Sequence, residues 1–317
     1  MRRAWLTVAV ALVLAGAATA YAVSVRQPAA PATTPVALAE DRIYFRDSAG
    51  QVASVRTTDP SADREPLGLR CDRFAAAATS AICLTGDAGA GLPTTTALIL
   101  DRDLHETRRI HLAGIPSRAQ VSRSGRMISW TVFVTGDSYR ASGFSTWTGI
   151  LDTRTGYAVV NMENIHLFID GRRYHSPDVN YWGVTFAADD TTFYATASTR
   201  GRTYLVRGDY ATWEAHTLTT GVECPSLSPD GTRIVYKRRD DAASGAPWRL
   251  AVMELTSLRT VTLAEPHGVD DQAVWLDPAT VAYARGGAIF AVPADGTGTP
   301  RELIRDGTSP VRYRAPG

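Results

Sequence analysis

An all-β chain built from repeated four-stranded units is what this sequence predicts, and three observations carry the prediction. The 26 Gly and 17 Pro among many Thr and Val make a composition of short strands and tight turns rather than of helices. A hairpin frame recurs along the chain at a spacing of about 40 to 55 residues, the period of a four-stranded blade. After each hairpin come two more strand-like stretches separated by a polar turn. A length of 317 residues would admit two average domains or one large β ring, so the repeat decides between them.

The first stretch stands apart. Arg2 and Arg3 precede an uncharged run from Ala4 to Ala22, about 20 residues and so long enough to span a bilayer once. Small residues spaced two apart, at Ala18 and Ala20 and again at Ala20 and Ala22, offer cleavage sites. Residues 1–25 are therefore expected to form an export signal, either a cleaved signal peptide or a retained signal-anchor helix, and both stay open. No Cys follows the run, so lipid attachment is not expected. Residues 26–40 are rich in Pro, Thr and Ala and read as a linker.

From residue 41 to 317 the repeat takes over. Its clearest copy runs from Cys224 to Lys237: a strand, a tight turn at Ser228-Pro-Asp-Gly231, then an alternating strand that reaches Tyr236. The same frame recurs at 121–130, 184–194 and 273–283, and at 71–83 it fits without a gap, Cys71 falling on Cys224 and Cys83 on Tyr236. Third and fourth strands follow at 96–100 and 107–112, 148–151 and 157–160, 203–206 and 215–218, 250–255 and 259–263, and 288–292 and 301–304. Near the start, 43–45 and 52–55 make a unit without its own first strand. Six units of about 45 residues give a single six-bladed β-propeller of four-stranded antiparallel blades. The missing first strand is expected from residues 308–314, pairing against 41–47, because an open ring would expose strand edges. The longest connection, 161–178, is expected to emerge as a surface loop.

These hairpins, above all 225–236, resemble the TolB-type β-propeller repeat. The resemblance covers roughly 41–314, with the motif intact only around Ser228 to Gly231. It implies an exported, stand-alone TolB-like propeller without the α/β domain of the translocation protein, and a scaffold or binder in the cell envelope.

Three cysteines in an exported chain point to one bridge and one remaining thiol. In the repeat register Cys71 opens a hairpin and Cys83 ends it. An antiparallel pairing centred near Ala77 would set them opposite each other, within a disulfide's reach of about 5.5 Å. Cys224 is then a buried small hydrophobe, because no His or cation adjoins it to lower its pKa.

The chemistry-bearing signals are few. The chain has no G-x-S-x-G, H-E-x-x-H, P-loop, C-x-x-C or calcium-loop pattern, and its six His never fall at ligand spacing. No cofactor and no metal are therefore expected. With 33 Lys plus Arg against 32 Asp plus Glu, nucleic-acid binding is not expected either. The Lys237-Arg238-Arg239 run, followed by Asp240 and Asp241, reads as a solvated turn.

What a propeller does offer is a ring of residues just before each innermost strand, around one mouth of its channel. Here these are Asp72 and Arg73, Ser117 and Arg118, Asn180 to Trp182, Glu223, Asp270, Asp271 and Gln272, and Ser309. Trp182 is the strongest single candidate, since an aromatic at such a mouth suits a sugar or peptide face. The expected function is a non-catalytic extracytoplasmic binding or scaffold protein that meets an envelope protein, peptide or glycan. It would be a monomer that touches the membrane only through its first helix if uncleaved. The alternative is an envelope enzyme, a sugar hydrolase or a metal-dependent lactonase, with Asp270, Asp271 and Glu223 as its acids.

Overall fold

The computed structural model describes residues 37–87, 89, 91–135, 143–242 and 245–315. The export signal expected over 1–25 and most of the linker lie outside the described residues. Among the described residues no helix is long and apolar enough to cross a membrane.

The strands fall into six sheets. The first holds β1 (Arg42–Asp47), β2 (Gln51–Arg56) and β3 (Glu65–Arg70), and the second β4 (Arg73–Ala77), β5 (Ser80–Asp87), β6 (Thr94–Asp101) and β7 (Glu106–Ala113). The third holds β8 (Ile115–Val121), β9 (Met127–Thr135), β10 (Ser145–Asp152) and β11 (Ala158–Val159). The fourth is wider. To β14 (Asn180–Phe186), β15 (Thr192–Thr199), β16 (Arg202–Asp209) and β17 (Glu214–Thr220) it adds β12 (His166–Ile169) and β13 (Arg172–Tyr174). The fifth contains β18 (Glu223–Leu227), β19 (Arg233–Arg239), β20 (Trp248–Glu254) and β21 (Thr260–Thr262). The sixth contains β22 (Val274–Asp277), β23 (Thr280–Arg285), β24 (Ala288–Pro293) and β25 (Arg301–Ile304). A last strand, β26 (Gly307–Arg312), pairs antiparallel with β1, Ile43 opposite Arg312 and Asp47 opposite Gly307. The protein is thus an all-β six-bladed propeller, as the repeat predicts.

The segment 161–178, expected as a loop, instead extends a blade. Leu167 and Phe168 pair in parallel with Ala215 and His216 of β17, and the Phe168 ring stacks on His216 at 4.5 Å. Leu167, Ile165 and Met162 are buried in the adjoining core, which is why the segment settles on the sheet.

The innermost strands β4, β8, β14, β18, β22 and β26 touch one another in that cyclic order, so blades three and six face each other across the axis. Each blade interface has its own apolar core. Ile82 and Ile99 meet Ile128 and Trp130 between blades two and three, and Val235 and Leu250 meet Trp275 and Tyr283 between blades five and six. A fully buried side chain of this kind stabilises by roughly 1.5–3 kcal/mol, and the alternating pattern of each strand supplies one such face to each neighbour. Blades four and five approach most closely at Gly183, where φ is +64° and an added Cβ would lie 2.8 Å from the Cys224 Cα. Only glycine fits that approach.

Cys71 and Cys83 are disulfide-bonded with their Cα atoms 5.4 Å apart. The register differs from the expected one. Cys83 sits opposite Phe74, and the turn centres on residues 78–79, so Cys71 lies before the strand rather than within it. The Asp72 N–H donates to the Leu84 carbonyl at 2.7 Å, and this bend carries Cys71 back to its partner.

Candidate functional site

The starts of the inner strands do converge, and side chains link them from blade to blade. The Arg73 Nε donates to the Ser117 carbonyl at 2.6 Å, joining blades two and three. The Ser309 N–H donates to the Asp271 carboxylate at 3.2 Å, and the Gln272 amide to the Pro225 carbonyl at 3.2 Å. Ser309 has a positive φ of 52°, an irregularity at the start of β26 next to the register shift that aims its N–H at Asp271. Asp72 accepts from the Gly86 N–H at 2.8 Å and lies 3.6 Å from Arg46.

Arg118 does something its blade neighbours do not. Its guanidinium donates to the Asp270 carbonyl at 3.1 Å, and Asp270 precedes β22 on the opposite side of the ring. The side chain therefore bars the axis. On one side of the bar lies a bowl of about 640 Å³ lined by Arg46, Arg73, His267, Asp270, Asp271 and Arg285. On the other lies the channel proper, about 490 Å³. Arg73, Asp271 and Ser309 border both.

Two acids support the bowl from beneath. Lys237, expected in a solvated turn, is 0% exposed. Its ammonium reaches the Asp270 carboxylate at 2.8 Å and lies 4.4 Å from the centre of the Trp248 ring. A buried cation needs such partners, since desolvation without them costs several kcal/mol. Glu223 faces Lys237 across the β18–β19 ladder; burial pushes its carboxyl up, against the pull of the Lys237 charge. Glu223 lines neither cavity.

Glu265 is likewise 0% exposed and accepts from the Tyr283 hydroxyl at 2.5 Å, the Arg285 Nε at 3.2 Å and the His267 Nδ1 and N–H, each at 2.9 Å. Burial alone would raise its carboxyl, but these donors outweigh it and hold it below the ordinary range. His267 and Arg285 are in this way fixed at the bowl's wall.

One expected site residue belongs to the core instead, and a second is tied up between strands. Trp182 is 1% exposed and packs with Phe133, Cys224 and Trp248, its ring edge-on to Phe144 at 5.3 Å. An indole is too apolar to leave at a wet mouth when a hydrophobic layer lies beside it. Asn180 accepts from the Ser145 hydroxyl and the Thr146 N–H, tying β14 to β10. Lys237, Glu265, His267 and Arg285 are not legible as site residues in the sequence because most of their partners come from other strands and turns. The one available signal was Lys237 at an inward position of an alternating strand. Among the described residues no cluster of three or more His, Cys, Asp or Glu could hold a metal ion.

With this geometry in hand the chain can be set beside known proteins. TolB from Acinetobacter baumannii superposes with a TM-score of 0.59 at 15% identity, over 87% of this chain and 68% of that one. An oligogalacturonate lyase in complex with manganese gives 0.53 at 9% identity, over 83% and 73%. The fold is that of a TolB-like propeller. At such identities the likeness is one of fold, and it spans both a TolB and an enzyme. No protein-family model matches the chain, and no curated protein matches it in sequence.

Proposed function

We propose that this protein is a non-catalytic, extracytoplasmic binding module that uses the bowl at the inner-strand starts to hold a polar segment of an envelope protein, peptide or glycan. The observation that carries this reading is the cross-blade latching of the bowl. Arg73, Asp271, His267 and Arg285 are each fixed by a hydrogen bond before any ligand arrives, so a ligand meets a rigid rim and little ordering entropy is lost on binding. Both signs of charge line the bowl, which suits a polar zwitterionic surface. The alternative acid chemistry would draw on Asp270, Asp271 and Glu223, of which Asp270 is held by Lys237 and Glu223 lines neither cavity.

An oxidising compartment is supported by the Cys71–Cys83 bridge. The reading also includes a ring held shut by β26: its pairing with β1 supports that role, and deleting residues 307–317 should then abolish the cooperative unfolding transition. A truncated chain that melts like the full one would refute it.

The binding reading is tested by cross-linking the full chain in an envelope extract, beside Arg46→Ala and Asp271→Ala. Partners captured by the wild type should be lost from the variants at nearly unchanged melting temperature. Identical capture by all three would reject the bowl as the binding surface.

A further inference from the structure

The far end of the channel is built differently from the bowl. Among the described residues, five arginines and two aspartates line the channel, with no Lys, Glu or His. Three of the arginines gather at the end away from the Arg118 bar: Arg123 in the turn after β8, Arg312 at the end of β26, and Arg314 just beyond it. Their donors go to backbone carbonyls. Arg123 donates to the Pro229 oxygen at 3.3 Å, Arg314 to the Leu276 oxygen at 3.2 Å, and Arg312 to the oxygens of Glu40, Arg42 and Tyr313.

A carbonyl satisfies a donor but leaves the charge uncancelled. Among the described residues no carboxylate stands within ion-pair distance of Arg123, Arg312 or Arg314. The acids nearby are engaged in their own turns. Asp230 accepts from Ser228, Thr232 and Arg233, Asp277 from the Ala279 N–H, and Glu40 from the Ala315 N–H. Burial lowers the Arg314 guanidinium, and repulsion from Arg312 and Arg123 lowers it further. Glu40, Asp41 and Asp277 act on the pair Arg312 and Arg314 only from a distance.

We propose that this end of the channel is a binding site for a small organic polyanion, with one carboxylate or phosphate group seated among Arg123, Arg312 and Arg314. The volume falls within the span of small-ligand pockets, about 300–1,000 Å³. Because Arg118 bars the axis, the ligand enters from the arginine end and does not thread through, which favours a small molecule over a polymer. Planar guanidinium forks pair bidentately with either anion. Gln120 and Ser226 lie deeper in the lining as neutral polar neighbours for the ligand's remaining groups. The site lies on the other side of the bar from the bowl, so it stands or falls independently of the binding reading above.

The experiment is calorimetric titration of the full chain with citrate and, separately, pyrophosphate, with glucose as the neutral control, backed by thermal melting. Either anion should bind and raise the melting temperature, and glucose should not. Stronger binding of citrate assigns the pocket to carboxylates, and stronger binding of pyrophosphate to phosphates. Arg123→Gln, at an exposed position, and the double variant Arg123→Gln with Arg314→Gln should weaken binding progressively, the double by at least about tenfold, equivalent to about 1.4 kcal/mol. Arg46→Ala in the bowl should leave it unchanged. Binding of neither anion overturns the proposal. So does binding that survives in Arg123→Gln and the double variant, or that is lost in Arg46→Ala.

Discussion

The two ends of the channel hold similar numbers of cations and treat them in opposite ways. At the bowl Lys237 meets Asp270, Arg285 meets Glu265 and Arg46 meets Asp72, so nearly every charge has a counter-charge fixed by the fold. At the far end Arg123, Arg312 and Arg314 donate, among the described residues, to carbonyl oxygens. The difference separates two uses of a buried charge. Paired charges set the shape of a rigid rim, whereas like charges held together raise the energy of the empty site and lower it when an anion arrives.

The comparison can be broken or sharpened by substitution, and the largest effects should come from the layer beneath the bowl. Trp182→Ala should cost about 3–5 kcal/mol in urea unfolding, the amount lost when a buried aromatic leaves a cavity. A loss below about 1 kcal/mol would return Trp182 to the surface. Lys237→Ala removes a buried cation that donates to Asp270 and packs on Trp248, and should cost about 1.5–3 kcal/mol, because the Asp270 carboxylate it leaves is partly exposed and can be rehydrated. If the double change Lys237→Met with Asp270→Asn is no more stable than Lys237→Ala, the pair is not what holds the rim.

Smaller effects follow elsewhere. Reducing the disulfide, or Cys71→Ser with Cys83→Ser, should cost about 2–3 kcal/mol for a loop of this length, read as a lower melting temperature. In the third blade Arg126 holds the Asp152 carboxylate with two hydrogen bonds, at 2.9 and 2.6 Å, and lowers its carboxyl to about 2. A depressed carboxylate stabilises the fold above its unfolded value of about 3.9, and that stability disappears as pH falls towards the folded value. Asp152→Asn should therefore cost about 2 kcal/mol at neutral pH and nothing near pH 2. A loss independent of pH would show that the charge is not the cause. The smallest expected effect is Asp271→Ala, about 1 kcal/mol, because its loss frees two half-buried N–H groups, at Gln272 and Ser309, that water can reach.

Much of the scaffold was legible in advance because its signals are local. The turn at Ser228 to Gly231 and the alternation through Tyr236 occupy one stretch of chain, and their repetition counted the blades. The pair Cys71 and Cys83 was legible for the same reason, though the bend at Asp72 displaced the register by which they meet. The candidate site was legible only as a set of positions. The ring of inner-strand starts is real, but Trp182 and Asn180 turn into packing and Lys237 turns out of solvent.

The strands of the repeat, its turns, the number of units and the cysteine pair could be read from the residues themselves, because each depends on neighbours within one short stretch of chain; the strands β12 and β13 could not. Only the way the blades pack makes Arg118 cross the axis to a residue 152 positions away, buries Lys237 against Asp270, and gathers three arginines that, among the described residues, form no ion pair. Those facts depend on the angle at which one sheet follows another around the ring. No window of sequence contains that angle, which is set by the packing of six apolar interfaces at once.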